Sequence, residues 1–240
     1  MLRAVLFDYG GTLDGAASHW LIRFREQYRC SGLELPFEQL RAAFDYATQC
    51  AYADSSVSGL GLRALVEYHV TRQMEHLGLS DGALAATVTA GFVRASQAGW
   101  EESRGVLTRL RHHFVLGVVS NFYGNLHRLL EEARLAPLLT AVIDSGIEGV
   151  KKPDPAIFAL AVRRLGCAPA EALYVGDSFE KDIIGAHAAG LRTAWLVGAA
   201  DPPCPQPQCV DVRLRCLADL ESIIERLQSV AFAASFRRDE

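Results

Sequence analysis

Lysine is almost missing from this 240-residue chain: it occurs only at positions 151, 152 and 181. The formal net charge is −4, so no basic face of the kind that binds nucleic acid is expected. No apolar run approaches the length needed to span a bilayer, and no membrane partner is expected. The first apolar stretch stops at Asp8, too early for a secretory signal. The six cysteines (30, 50, 167, 204, 209 and 216) lack the spacing of a disulfide framework. They read as reduced thiols, and a cytoplasmic location is the expectation. Cys204 and Cys209 flank a loop of proline and glutamine, without a histidine or a second close pair, so a plain loop is expected there and not a metal site. No internal repeat is visible.

What is present suits a core-forming protein. Half the residues are hydrophobic and 22% are charged, in a chain long enough for one large domain or two modest ones. The organising stretch is Val5-Leu6-Phe7-Asp8-Tyr9-Gly10-Gly11-Thr12-Leu13-Asp14. Its apolar run, starting at Ala4, reads as a buried strand of a parallel sheet. Asp8 then stands at the strand's carboxyl end, where open α/β sheets bind ligands. The glycines let backbone approach a ligand, and Thr12 puts a hydroxyl beside the carboxylate. Alone, an ordinary strand-to-turn junction would explain this stretch. Three later ones repeat it: Val118-Val119-Ser120-Asn121, Val150-Lys151-Lys152-Pro153, and Val175-Gly176-Asp177 with Asp182.

From 15 to 100 the pattern is helical throughout, with helices predicted at 18–30, 36–52, 60–78 and 81–97. Leu62, Leu65, Val66 and His69 recur at helical spacing, so one face of the third is buried. The aromatics of this region (Trp20, Phe24, Tyr28, Phe44, Tyr46, Tyr52 and Phe92) are expected in the helical core. Further on, strands at 114–119, 141–143, 173–175, 193–197 and 210–214 alternate with helices at 102–112, 126–133, 156–165, 182–190 and 217–227. Asp154 and Pro155 supply the cap and first turn of the 156–165 helix. Four prolines make 201–208 an exposed loop, and 231–240 is expected to be a loose tail. The alternation argues for an α/β fold, a doubly wound parallel sheet whose strand ends converge at one crevice. Asp8, Asp177 and Asp182 would meet there, and three carboxylates repel unless a cation such as Mg²⁺ joins them.

The four stretches, in this order, resemble the motifs of the haloacid dehalogenase (HAD) superfamily, largely phosphatases and phosphotransferases. The resemblance covers about the first 200 residues. It implies a Rossmann-like core, 1–14 and 101–240, with an all-helical cap domain inserted at 15–100. Hinges are expected near 14–16 and 99–101, where both chain crossings carry glycine. The resemblance also implies Asp8 as nucleophile, forming an aspartyl-phosphate, with Mg²⁺ on Asp8, Asp177 and the Gly10 carbonyl. Asp182 acts from behind, orienting a metal-bound water. Thr12, Ser120, Asn121 and Lys152 receive the phosphate of a small phosphorylated substrate, while Lys151 is an exposed neighbour.

One position departs from the pattern. The superfamily's first motif is Asp-x-Asp-Gly-Thr, and here Gly10 replaces the second Asp. That carboxylate protonates the leaving oxygen and later activates water, work that contributes ~10²–10⁴-fold in rate. His19 and Glu26 are candidate substitutes. The expected function is a Mg²⁺-dependent phosphatase that favours esters with weakly basic leaving groups. A weakened phosphate- or partner-binding protein is the alternative, and a 2-haloacid dehalogenase the second. A phosphonate-cleaving relative needs a cap lysine, and this chain has none.

Overall fold

The computed structural model describes residues 1–15, 17–220 and 222–224. Six strands form one parallel sheet: β1 (Ala4–Phe7), β2 (Val115–Ser120), β3 (Ala141–Asp144), β4 (Ala172–Gly176), β5 (Arg192–Leu196) and β6 (Val212–Leu214). Their order is β3-β2-β1-β4-β5-β6. The first strand is buried from end to end, and its period of two sorts it between two cores. Val5 and Phe7 face one cluster with Leu116, Val118, Leu173 and Val175. Ala4 and Leu6 face the other, with Ile143, Phe158 and Leu165. A strand covered on both faces needs an unbroken apolar run, which explains the first motif's abrupt change at Asp8.

Four helices separate β1 from β2: α1 (Trp20–Cys30), α2 (Phe37–Ala53), α3 (Leu62–Leu77) and α4 (Gly82–Leu110). The first hydrophobic cluster runs from the sheet into them without a break, through Phe24, Leu40, Leu65 and Phe92. Gly78 ends α3 in the left-handed conformation at φ 67°. After β2 come α5 (Leu126–Glu132), α6 (Ser145–Glu148), α7 (Pro155–Leu165) and α8 (Ile184–Ala188). As the sequence predicts, Asp154 caps α7, accepting from the Ala156 N–H at 2.9 Å. The α7 helix packs on β2 and β3, and α8 packs on β5.

Two sequence expectations change. The helices predicted at 81–97 and 102–112 are one continuous helix, α4. Its interior glycines cost about 1 kcal/mol each in propensity, but Trp100, Ser103, Val106 and Leu107 are buried along it. Gly99 thus lies in the interior of a helix and not in a linker. A Cβ there would come within 2.6 Å of the Asp14 carbonyl carbon, so the glycine lets α4 pack directly on the chain leaving β1. Asp182 sits in a tight turn, Phe179–Ile183, that leads into the short α8. At the carboxyl end, Leu217–Asp219 forms a turn and 222–224 are helical; the rest of the predicted last helix and the tail at 231–240 lie outside the described residues. No helix among the described residues is long and apolar enough to cross a membrane.

Candidate active site

The chain starts in the middle of the sheet, winds outward to β3, then returns to the other side of β1. The strand order therefore reverses at β1, and such a switch point leaves a crevice beyond the carboxyl ends of its strands. Phe7 pairs with Val118 on one side and Val175 on the other. This register delivers Asp8, Ser120 and Asp177 to the crevice from three adjacent strands.

Asp8 is 6% exposed. Its Oδ1 accepts two hydrogen bonds, from Ser120 Oγ at 2.7 Å and from Lys152 Nζ at 2.6 Å. Among the described residues no donor reaches Oδ2. Lys152 is buried and also donates to Asp182 Oδ1 at 2.6 Å and to the Tyr174 hydroxyl at 2.9 Å. Burial opposes its charge, but Asp182 and Asp8 outweigh that and hold its pKa above the usual lysine value. The Tyr174 hydroxyl in turn donates to the Val119 carbonyl at 2.9 Å.

Asp8, Asp177 and Asp182 each bring a carboxylate oxygen within 4.8 Å of the others. Asp177 Oδ1 is buried without a donor among the described residues. Burial, then the neighbouring Asp8 and Asp182 charges, raise the Asp177 pKa well above the carboxylate range. An all-oxygen cluster with an unpartnered buried oxygen fits a hard divalent cation such as Mg²⁺. Gly11 makes the approach possible. Its φ is +90°, and a Cβ there would lie 2.5 Å from Asp177 Oδ2.

Other expected residues divide. Asn121 spends its amide on the Lys152 backbone, donating to the carbonyl at 2.9 Å and accepting from the N–H at 2.8 Å, which sets the lysine in place. Both Asp182 oxygens are engaged, one by Lys152 and the other by the Ser178 N–H at 3.0 Å. Thr12 is buried and its hydroxyl lacks a partner among the described residues. Gly10 and His19 line a cavity of about 300 Å³ above Asp8, together with Ser120, Lys152 and Asp177. Glu26 lies outside that cavity, exposed and paired with Arg29 at 2.7 Å.

The His19 ring caps α1, its Nδ1 accepting from the Leu21 N–H at 3.2 Å. Burial, followed by the nearby Lys181 charge, lowers its pKa to about 4. A neutral ring with Nδ1 accepting carries its proton on Nε2, so at neutral pH this group offers a hydrogen-bond donor.

The family model of the haloacid dehalogenase-like hydrolases matches residues 2–190. The chain belongs to that family. This hydrolase is 28% identical to haloacid dehalogenase-like hydrolase domain-containing protein 3 of Bos taurus over 215 residues, 85% of each chain. It is 38% identical to a phosphoserine phosphatase of Thermus thermophilus over 97 residues, 40% of this chain and 39% of that protein. A 2-haloacid dehalogenase from Pseudomonas syringae shares the fold, with a TM-score of 0.56 and 22% identity, covering 95% of this chain and 100% of the other.

Some residues of the candidate site carry no sequence signal. Tyr174 reads as a strand residue, and only the fold turns its hydroxyl to Lys152. Asp14 reads as the end of the first motif. In the structure it is fully buried and holds the loop, accepting from the Gly11 N–H at 2.7 Å and Trp20 Nε1 at 2.7 Å and pairing with Arg23 at 2.9 Å. The aromatics expected in the helical core separate: Phe24, Tyr28 and Phe92 are fully buried there, whereas Trp20, Phe44 and Tyr52 line the cavity.

Proposed function

We propose that this hydrolase is a Mg²⁺-dependent phosphomonoester hydrolase that acts on a small phosphorylated molecule through Asp8. The observation that carries the reading is the double donation to Asp8 Oδ1 by Ser120 and Lys152. It orients the carboxylate and places a cation beside the equatorial oxygens of an incoming phosphoryl group, where charge develops. The phosphatase relatives support the same reaction class.

Asp8 attacks phosphorus through its free oxygen. A carboxylate-oxygen bond to phosphorus forms, the bond to the leaving oxygen breaks, and that oxygen departs with the electron pair. Water then attacks the aspartyl-phosphate, releases inorganic phosphate and regenerates Asp8. Lys152 stays charged throughout, with Asp182 and Tyr174 holding it. Asp8, Asp177 and the Gly10 carbonyl are the proposed holders of Mg²⁺, which supplies positive charge to the phosphoryl oxygens. Residues 15–100 are proposed as a cap domain that covers the site and selects the substrate. No carboxylate stands at position 10, so the leaving oxygen departs without a strong acid beside it.

Phosphate release from a panel of phosphate esters with Mg²⁺, in wild type and Asp8→Asn, tests the reading. The expected result is turnover in wild type, a phosphate adduct on the Asp8 peptide by mass spectrometry, and loss of both in the variant. Hydrolysis that survives Asp8→Asn would refute the role of Asp8.

A further inference from the structure

Phosphoryl transfer to Asp8 leaves three features of the cavity unused. The first is its wall. Trp20, Phe44 and Tyr52 from the inserted helices, with Phe122 and Tyr123 from the loop after β2, line it. Neighbouring rings meet at steep angles: Trp20 and Phe122 at 89°, Tyr52 and Tyr123 at 68°. Tyr52 is 48% exposed. Rings so set present faces and edges that a flat, apolar group covers well.

The second feature is Gly10. A Cβ there would lie 3.5 Å from the Trp20 indole, so the space beside the leaving oxygen is bounded by this aromatic wall and not by a carboxylate. An oxygen that leaves from an aromatic ring is a weak base and needs little acid help. One substrate feature therefore answers both the wall and the missing acid.

The third feature is charge. All three lysines of the chain line this one cavity, while every other fixed cation of the chain is an arginine or the terminal amine. Lys152 is taken up by Asp8 and Asp182. Lys151 and Lys181 are exposed and form no ion pair among the described residues. Two free ammonium groups beside a phosphate site attract a further negative charge. A volume of about 300 Å³ is at the small end for ligand sites and suits a single ring.

We infer that the substrate is a small aryl phosphate carrying a second anionic group, its ring seated against Trp20, Phe44 and Tyr123 and its second anion held by Lys151 and Lys181. The inference rests on transfer to Asp8 as proposed above. In the reaction, the bond from phosphorus to the ring oxygen breaks, the phenolate leaves with the electron pair, and it takes a proton from water.

The test compares para-carboxyphenyl phosphate, phenyl phosphate and glycerol phosphate with the full chain and Mg²⁺. Phenyl phosphate is expected to exceed glycerol phosphate in kcat/KM by ~10²-fold, within the range that general acid help contributes. The carboxylated ester is expected to exceed phenyl phosphate several-fold, and a Lys151→Gln, Lys181→Gln double variant to erase that advantage. Calorimetric binding of para-carboxyphenylphosphonate, which is not hydrolysed, gives a second readout. Its Kd should rise in the double-lysine variant and in Phe44→Leu. Glycerol phosphate turned over as well as phenyl phosphate, or a carboxylate advantage indifferent to both lysines, overturns the inference while transfer to Asp8 stands. If none of the esters is hydrolysed and no phosphate reaches Asp8, the phosphatase reading falls and this inference with it.

Discussion

Gly10 and Trp20 are in ordinary van der Waals reach: a Cβ on Gly10 would lie 3.5 Å from the indole nitrogen and 3.6 Å from its neighbouring carbon. The backbone there has φ −74° and ψ 109°, which any residue adopts. Position 10 therefore lacks a carboxylate and not the room to start one. Gly10→Asp is expected to raise turnover of alkyl phosphates by ~10–10³-fold, somewhat below the usual range because the cavity is not shaped around the new group. Aryl phosphates should gain little. Steady-state rates on glycerol phosphate and phenyl phosphate decide it, and an alkyl rate unchanged by the substitution would mean that another group or the substrate already supplies the proton.

Asp14 is expected to be the costliest side chain of the loop that follows Asp8. It neutralises Arg23, which is 7% exposed and also donates to Ser96 on α4. Asp14→Ala strands that guanidinium and frees the Gly11 N–H and the Trp20 indole, a loss of about 3–5 kcal/mol. Urea unfolding measures it. A midpoint equal to wild type would show that water or a rearranged Arg23 replaces the carboxylate at no cost.

His69 is predicted to make the protein acid-sensitive. It is fully buried on α3, stacked near Phe24 and beside Trp20, and neither ring nitrogen has a partner among the described residues. Burial lowers its pKa from 6.5 to about 4. Between those values the unfolded chain takes up a proton that the folded chain refuses, so this group contributes a fall in stability as pH drops from 6.5 towards 4 and none above. The full effect is about 3 kcal/mol. His69→Leu should raise stability by ~1 kcal/mol at neutral pH, by removing unpaired buried nitrogens, and flatten the acid limb. If urea midpoints of wild type and variant fall in parallel from neutral pH to mildly acidic pH, His69 is not the cause.

Mg²⁺ should stabilise the folded chain as well as support turnover. Binding to the native carboxylates alone adds about 2.7 kcal/mol when free Mg²⁺ is a hundred times Kd. A rise in Tm with Mg²⁺ is expected in wild type and should be lost in Asp177→Asn, with turnover reduced alongside. An Asp177→Asn variant with an undiminished Mg²⁺ shift would remove Asp177 from the metal set, and full activity in excess chelator would revive the dehalogenase alternative.

The chain's α/β order and its polar strand ends were legible without coordinates, because each rests on local patterns. Three apolar runs that end in Asp8, Ser120 and Asp177 declare a sheet with a crevice, since a strand buried on both faces tolerates polar groups only at its end, whereas Lys152 reaches the crevice from the loop after α6 and not from a strand end. Gly78, Asp154 and Pro155 mark helix boundaries through backbone preferences that need no tertiary partner. The continuity of α4 across Gly99 was not legible: glycine and two acidic residues look like a break, and only packing against the Asp14 backbone makes a continuous helix the better state. Nor could spacing alone tell Phe24, enclosed in the helical core, from Phe44 on the cavity wall, because both are aromatic residues on amphipathic helices. The partners of Lys152 depended on the fold in the same way. Asp8, Tyr174 and Asp182 come to the Lys152 ammonium group from positions up to 144 residues away from it in sequence. Local sequence determined where each strand stops; the order in which the sheet winds decided which of those ends meet.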